Sequence, residues 1–283
     1  MIIDGDVSAR DRADDTADSH GANRAGQVAI AELLKAQRHV ASRDLIRRIF
    51  GISPLSPETH AMYRGVVGEI EVGEALVGLG PEWTVLHALP VDSGLADIDH
   101  LVIGPAGVFV VATKNYSGHD VWASQRTLMV AGVRHPHIRN MEYEMGRVER
   151  TLIAAAGSPV QVSGILAIVA AKSLLVREKH RDVAVLTADN LVGWLQRHER
   201  VLNAAQVSHL STAASLASTW DRADEPSEKP DAVRGRFESL RAEVRRAWRV
   251  QLTWVVGVTV VGIGAFAVIT YSILVSAIGS FGY

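Results

Sequence analysis

Asp99 and Lys114 lie on two short apolar runs separated by a Gly-Pro-Ala-Gly turn, in the stretch 96–118, ADIDHLVIGPAGVFVVATKNYSG. That pattern predicts a β-hairpin. Side chains alternate along a strand, so Val108, Val110, Ala112 and Lys114 share one face of the second strand. A carboxylate and an amine near the hairpin's open end form the skeleton of a divalent-metal phosphodiesterase site. Hydrolysing a phosphodiester requires charge stabilisation on its oxygens and an activated water. A hard cation held by oxygen ligands supplies both.

Helices and strands must bring these groups together. Residues 65–79 predict a helix whose positions 69, 72, 76 and 79 share a face, which places Glu69 beside Val72, Leu76 and Leu79. Strands are expected at 83–89, 121–122, 128–133, 164–170 and 183–186. Helices are expected at 140–156, from Thr187 to about His198, and at 204–220. This mixture predicts an α/β fold with a mixed β-sheet flanked by helices. Upstream, residues 24–50 have helical periodicity, either packing on the main domain or forming an independent partner-binding helix. The predicted organisation is a disordered acidic N-terminus (1–23), an accessory helix and linker (24–56) and a main domain (57–200). A helix, polar linker and arginine-rich segment (201–251) then lead to a transmembrane helix (252–278).

Residues 65–122 resemble the nuclease-related domain family, NERD. The matching motifs are Gly65-Val-Val-Gly68-Glu69, Ile98-Asp99-His100, Gly104-Pro-Ala-Gly107-Val108-Phe109 and Ala112-Thr-Lys114-Asn115-Tyr116-Ser-Gly118. The likeness continues more loosely to about Arg197. It implies a restriction-endonuclease-like core, a distant place in the PD-(D/E)xK nuclease superfamily and a role in DNA processing. Mapped onto this chain, it implies Asp99 as the main ligand of Mg²⁺ or Mn²⁺ and Glu69 as a second carboxylate. Lys114 would orient the attacking water or stabilise developing charge. The family's Glu two positions before the Lys is here Ala112. Three readings follow from that loss. The domain is catalytically dead and kept for binding, or it is active through a relocated carboxylate, or it serves another purpose. Glu144, on the helix after the hairpins, is the first candidate for the relocated acid, and Asp97 the second.

Blander readings stand beside these. Glu69 also suits the positive end of a helix starting near Gly65, and a Lys at a strand end is often merely solvated. His100 points to the opposite face from Asp99 and reads as structural. His135-Pro136-His137 reads as an exposed turn, with no carboxylate pair to make it a metal site.

The 283-residue chain has a net charge of −2 and no cysteine, which excludes disulfides and thiolate metal sites. Met1-Ile2-Ile3 runs directly into Asp4 and Asp6, so no secretory signal is expected. Residues 61–200 carry 13 Lys plus Arg against 15 Asp plus Glu, an unpromising balance for a non-specific nucleic-acid binder. Arg134, Arg139, Arg147, Arg150, Lys172, Arg177, Lys179 and Arg181 are the candidates for a local basic patch.

Residues 252–278 are uncharged and, as a helix, reach roughly 40 Å, beyond the ~30 Å hydrocarbon core. Arg234, Arg236, Arg241, Arg245, Arg246 and Arg249 precede the run, and no charge follows it. The positive-inside rule then predicts a C-terminal tail anchor with the N-terminal domain cytoplasmic. Nucleic acid, the membrane and a protein partner are the expected contacts. The contrasting function is a membrane-tethered interaction module, in which the N-terminal helix and the juxtamembrane arginines meet proteins or anionic lipids.

Overall fold

The computed structural model describes residues 24–90, 97–220 and 230–280. The acidic segment 1–23, and residues 221–229 of the expected polar linker, lie outside these. The elements run α1 (Gln27–Gln37), α2 (Leu45–Ile49), α3 (Pro57–Leu76), β1 (Thr84–Leu89), β2 (Ile98–Gly104), β3 (Gly107–Asn115) and β4 (Asp120–Ala123). They continue β5 (Leu128–Val130), β6 (Val133–His135), α4 (His137–Ala156), β7 (Val162–Val169), β8 (Ser173–Val176) and β9 (Val183–Thr187). Helices α5 (Ala188–Arg197), α6 (Ala204–Ser215) and α7 (Pro230–Ser280) complete the chain.

The β2–β3 hairpin forms as expected, with Gly104 paired to Gly107 around Pro105-Ala106. Gly107 adopts a φ of 125°, open to glycine and strained for other residues. A five-stranded sheet has the order β1-β2-β3-β7-β9, antiparallel through β3 and parallel from β3 to β9. A second, four-stranded sheet has the order β6-β5-β4-β8, with β4 and β8 parallel. The expected α/β class with helix-flanked mixed sheets therefore holds, with two sheets instead of one. The parallel pairing of β3 with β7 resumes as β4 with β8 after a bend. Gly118 donates its N–H to Ala170 O there, and both residues have positive φ.

Each face of the large sheet carries its own apolar cluster. Val108, Val110 and Ala112 join Met141, Met145 and Val148 of α4 and Leu166 of β7. Phe109 and Val111 join Val72 and Leu76 of α3 and Leu191 of α5. The inferred alternation along β3 is thus expressed as two cores, one on each face.

Several boundaries differ from the sequence expectation. The single helix expected over 24–50 is two helices, because Asp44 caps α2 through the Arg47 N–H at 2.8 Å. Helix α3 begins at Pro57, not Gly65. Ser56 and Thr59 exchange backbone-to-side-chain hydrogen bonds at its start, and Pro57 occupies a first-turn position that needs no N–H. Strand β8 was not expected. Helix α7 runs unbroken for 51 residues, so the arginine-rich and apolar segments are one helix.

The chain divides into two compact units. One comprises residues up to Leu33 with Ala61–Val233, and the other Leu34–His60 with Arg234 onward. The first contains both sheets. The second contains most of α7, which is the one helix among the described residues long and apolar enough to cross a membrane. None of its apolar window is buried in the protein.

Candidate functional site

Asp99 sits where the hairpin opens. Backbone pairing of β2 with β3 ends at His100–Val111, and beyond it the Thr113 N–H donates to Asp99 Oδ2 at 2.7 Å. The carboxylate thus takes a donor that a continuing ladder would have bound. On the other side, β1 pairs at His87–His100 and Leu89–Ile98 and skips the intervening position. Ala88, opposite Asp99, has a φ of 50°. The left-handed region costs a non-glycine residue of order 1–3 kcal/mol, so the sheet is distorted on both sides of this acid.

Glu69 approaches from α3, on the opposite face of the sheet from Ala112. Because α3 starts at Pro57, Glu69 lies three turns into the helix and gains nothing from its positive end. The alternative role for Glu69 at a helix start is thereby overturned. Helix α3 packs closely here: a Cβ on Gly68 would stand 3.2 Å from Thr113 Cγ2. Glu69 is only 9% exposed, and its Oε1 accepts the Gly26 N–H at 3.0 Å. Ala25 lies so near α3 that a Cβ on Gly73 would collide with it, which seats residues 25–26 beside this carboxylate.

Lys114 follows Ala112 on the α4 side, one alternation further along β3, and Glu144 comes from α4. The fields of these groups overlap. Burial pushes Glu69 up to about 8, the negative charges of Asp99 and Asp97 add to the rise, and the Gly26 N–H and Lys114 oppose it. Burial also raises Asp99, against the pull of Lys114 and the Thr113 N–H. Glu144 is raised by burial and by Asp99, with Lys114 and Arg147 opposing. Asp99 and Lys114 thus act electrostatically on both Glu69, from α3, and Glu144, from α4. Asp97 lies just outside β2 yet acts on Glu69. Among the described residues no ion pair of 4.0 Å or less joins Lys114 to Glu69, Asp99 or Glu144. The charges are gathered without being collapsed onto each other.

Ala112 is 5% exposed and lies in the apolar cluster under α4. No carboxylate replaces it on its own strand. Among the described residues, no group of three or more His, Cys, Asp or Glu side chains could cage a metal ion. The donor set instead suits the sparse grip used for Mg²⁺, one or two carboxylates with water and substrate completing the shell. Asp99 and Glu69 are hard oxygen donors whose burial and mutual repulsion a cation would relieve.

Two histidines emerge from outside the expected set. His137 Nε2 is hydrogen-bonded to the Tyr116 hydroxyl, and the His135 and His137 rings stack 4° from parallel at 5.3 Å. Burial, Lys114 and His135 push His137 down to about 4, and burial pushes Tyr116 up to about 12. The bond thus joins a neutral imidazole to a neutral phenol near neutral pH. This corrects the reading of His135-Pro136-His137 as an exposed turn. The sequence signal was Tyr116 in the motif after Lys114, but its partner lies 21 residues away. His100, by contrast, is fully buried and hydrogen-bonded to His87, Nδ1 to Nδ1, at 2.8 Å, as expected for a structural residue.

Sequence comparison adds the decisive constraint. Residues 64–169 match the family model of the nuclease-related domain, NERD. No curated protein and no solved structure matches the chain. The NERD segment spans α3 through β7, so it contains Glu69, Asp99, Lys114, Glu144 and the Tyr116–His137 pair. Of the candidate basic patch around it, Arg147 is buried at 3% exposure and Lys172 pairs with Asp120 at 3.6 Å. Arg134, Arg139, Arg150, Arg177, Lys179 and Arg181 are exposed.

The site has a pH signature. Glu69 is raised from 4.5 to about 8 in the folded protein, so the folded state holds a proton that the unfolded chain has released. Its contribution to stability is fully present below about pH 4.5 and is lost as pH rises through about 8. The thermal midpoint in detergent is expected to fall across that window. Glu69→Gln should flatten the fall without abolishing it, since Asp99 and Glu144 shift the same way. An identical slope in the variant would remove Glu69 as its source.

Proposed function

We propose that this is a membrane-anchored, nuclease-related protein that binds or processes nucleic acid at the Asp99–Glu69–Glu144–Lys114 site, with a weakened cation-dependent phosphodiesterase activity. The observation that carries this reading is the gathering of one buried acid, Glu69, two half-buried acids, Asp99 and Glu144, and one lysine near the open end of the β2–β3 hairpin. Asp99 and Glu69 would hold Mg²⁺ or Mn²⁺, and Glu144 would supply the negative charge lost at Ala112. A bound divalent cation supplies Lewis-acid stabilisation of phosphoryl oxygens and lowers the pKa of a water.

The chain's own groups have distinct tasks. Lys114 binds a non-bridging phosphate oxygen and holds developing charge. Glu144, raised by burial, accepts a proton from water more readily than an exposed carboxylate does. Tyr116, kept protonated, donates a hydrogen bond, and His137 holds its hydroxyl in place. The test is Mn²⁺-dependent cleavage of single- and double-stranded DNA and RNA, with EDTA as control. Cleavage lost with EDTA and with Lys114→Gln supports the proposal. Cleavage that survives both contradicts it.

The second reading is a catalytically dead membrane-tethered protein-interaction module, and it is favoured by the apolar burial of Ala112. It requires wild-type protein that binds no divalent cation and cuts no nucleic acid.

Anchoring rests on the uncharged run of α7, which is long enough to cross a bilayer with some tilt. The arginines before it orient residues N-terminal to the run toward the cytoplasm. Deleting residues 252–283 is expected to move the protein from the membrane pellet into the soluble fraction. Persistence in carbonate-washed membranes would contradict the anchor.

A further inference from the structure

Helix α2 is short and divided by charge. Leu45, Ile46 and Ile49 fall on one side, with Arg47 and Arg48 between them in sequence. Its apolar side chains face outward: Leu45 is 73% exposed and Ile46 64%, and Phe50 and Ile52 just beyond are about half exposed. So much contiguous apolar surface calls for a covering phase.

The position of α2 within its unit is fixed by contacts to α7. Before it, Arg43 pairs with Glu243 at 3.4 Å and donates to Ile52 O at 3.0 Å. After it, Trp254 Nε1 donates to Ile49 O at 2.7 Å, and the Phe50 and Trp254 rings lie 5.4 Å apart. Gly51 closes the junction. Its φ is 67°, and a Cβ there would collide with the Ala247 carbonyl and the Gln251 backbone. Helix α2 is thus fastened to α7 between Glu243 and Trp254. That interval is where the exposed Arg245, Arg246, Trp248 and Arg249 give way to the uncharged run starting at Leu252.

We infer that α2 is an interfacial membrane anchor, with Leu45, Ile46, Ile49, Phe50 and Ile52 sunk into the headgroup–acyl boundary of a bilayer. Arg47, Arg48, Arg245, Arg246 and Arg249 meet anionic headgroups beside it. This rests on the membrane-crossing reading of α7 above. An apolar face flanked by arginines, next to an interfacial Trp, has the composition of a helix lying in the membrane plane. Each arginine near an anionic surface adds attraction that falls off within a Debye length. A second protein would cover the apolar residues equally well, but would leave the exposed arginines before the apolar run without a counterpart.

The absence of cysteine makes the test direct. Single cysteines at Leu45, Ile46, Val258 and Ala204 are introduced into the full-length chain and labelled with an environment-sensitive fluorophore. The proteins are reconstituted into vesicles of phosphatidylcholine and phosphatidylglycerol. Quenchers are lipids spin-labelled near the headgroup, lipids spin-labelled deep in the acyl chain, and aqueous iodide. The expected result is loss of most Leu45 and Ile46 fluorescence to the shallow lipid label, with little loss to iodide. Val258 should respond to the lipid labels, and Ala204 to iodide alone.

If Val258 is quenched by lipid while Leu45 and Ile46 follow Ala204, the inference is overturned and the span stands. If Leu45 and Ile46 are shielded from lipid and iodide alike, a protein surface covers them, which also overturns it. If Val258 itself escapes the lipid labels, the span fails and the inference falls with it.

Discussion

Replacing Asp99 with Asn is expected to weaken Mn²⁺ binding by more than ~100-fold, because groups that only support a ligand already cost 10–100-fold when lost. The readout is calorimetric titration of the full-length protein in detergent. Asn keeps an oxygen that can accept the Thr113 N–H, now at 2.7 Å, so the distorted end of the sheet should survive. What disappears is the negative charge that raises Glu69 and Glu144. Both acids should then ionise at lower pH, and Glu69 alone would face the cation. An unchanged titration with folded protein would remove Asp99 as a ligand.

The second large effect is a gain. Ala112→Glu is expected to raise Mn²⁺-dependent cleavage by about tenfold or more, since one well-placed electrostatic group is worth ~10²–10³ in rate. The new carboxylate would project from the strand face that carries Lys114. It would also enter the apolar cluster of Met141, Met145 and Leu166, at a cost of a few kcal/mol for burying a poorly partnered polar group. Ala112→Gln matches that change in size without the charge and should gain nothing. If Glu144 now does the work of the missing acid, Glu144→Gln should be harmful in the wild-type background and tolerated beside Ala112→Glu. Equal harm in both backgrounds would separate Glu144 from the deficit at position 112.

The hairpin and the apolar strand at 164–170 were legible because local signals determine them. A Gly-Pro-Ala-Gly turn between alternating runs has few other solutions, and a fully apolar run bounded by turns belongs inside a sheet. The grouping of Glu69, Asp99 and Lys114 was suggested only by the ordered motifs resembling NERD, and Glu144 by its place on the helix after the hairpins, since no periodicity relates residues on a helix, a hairpin and a second helix. Strand β8 escaped because Ser173–Val176 is largely exposed and pairs in parallel with β4, some fifty residues earlier.

The two-helix form of residues 24–50 had a readable sign in Asp44, a capping residue ahead of Leu45-Ile46. The start of α3 had another in Ser56-Pro57. Helical periodicity alone carries across such breaks, because apolar spacing does not record where caps interrupt it. The Tyr116–His137 bond had only half a signal, Tyr116 in the motif after Lys114, because its partner lies 21 residues away and arrives through the second sheet.

The most direct measurement is the anomalous scattering of Mn²⁺ soaked into crystals of the detergent-solubilised protein. One peak is expected at ~2.0–2.6 Å from carboxylate oxygens of both Asp99 and Glu69, the range for oxygen ligands of hard cations. A peak elsewhere that excludes Asp99, or none at millimolar Mn²⁺, would contradict a cation site at the open end of the hairpin.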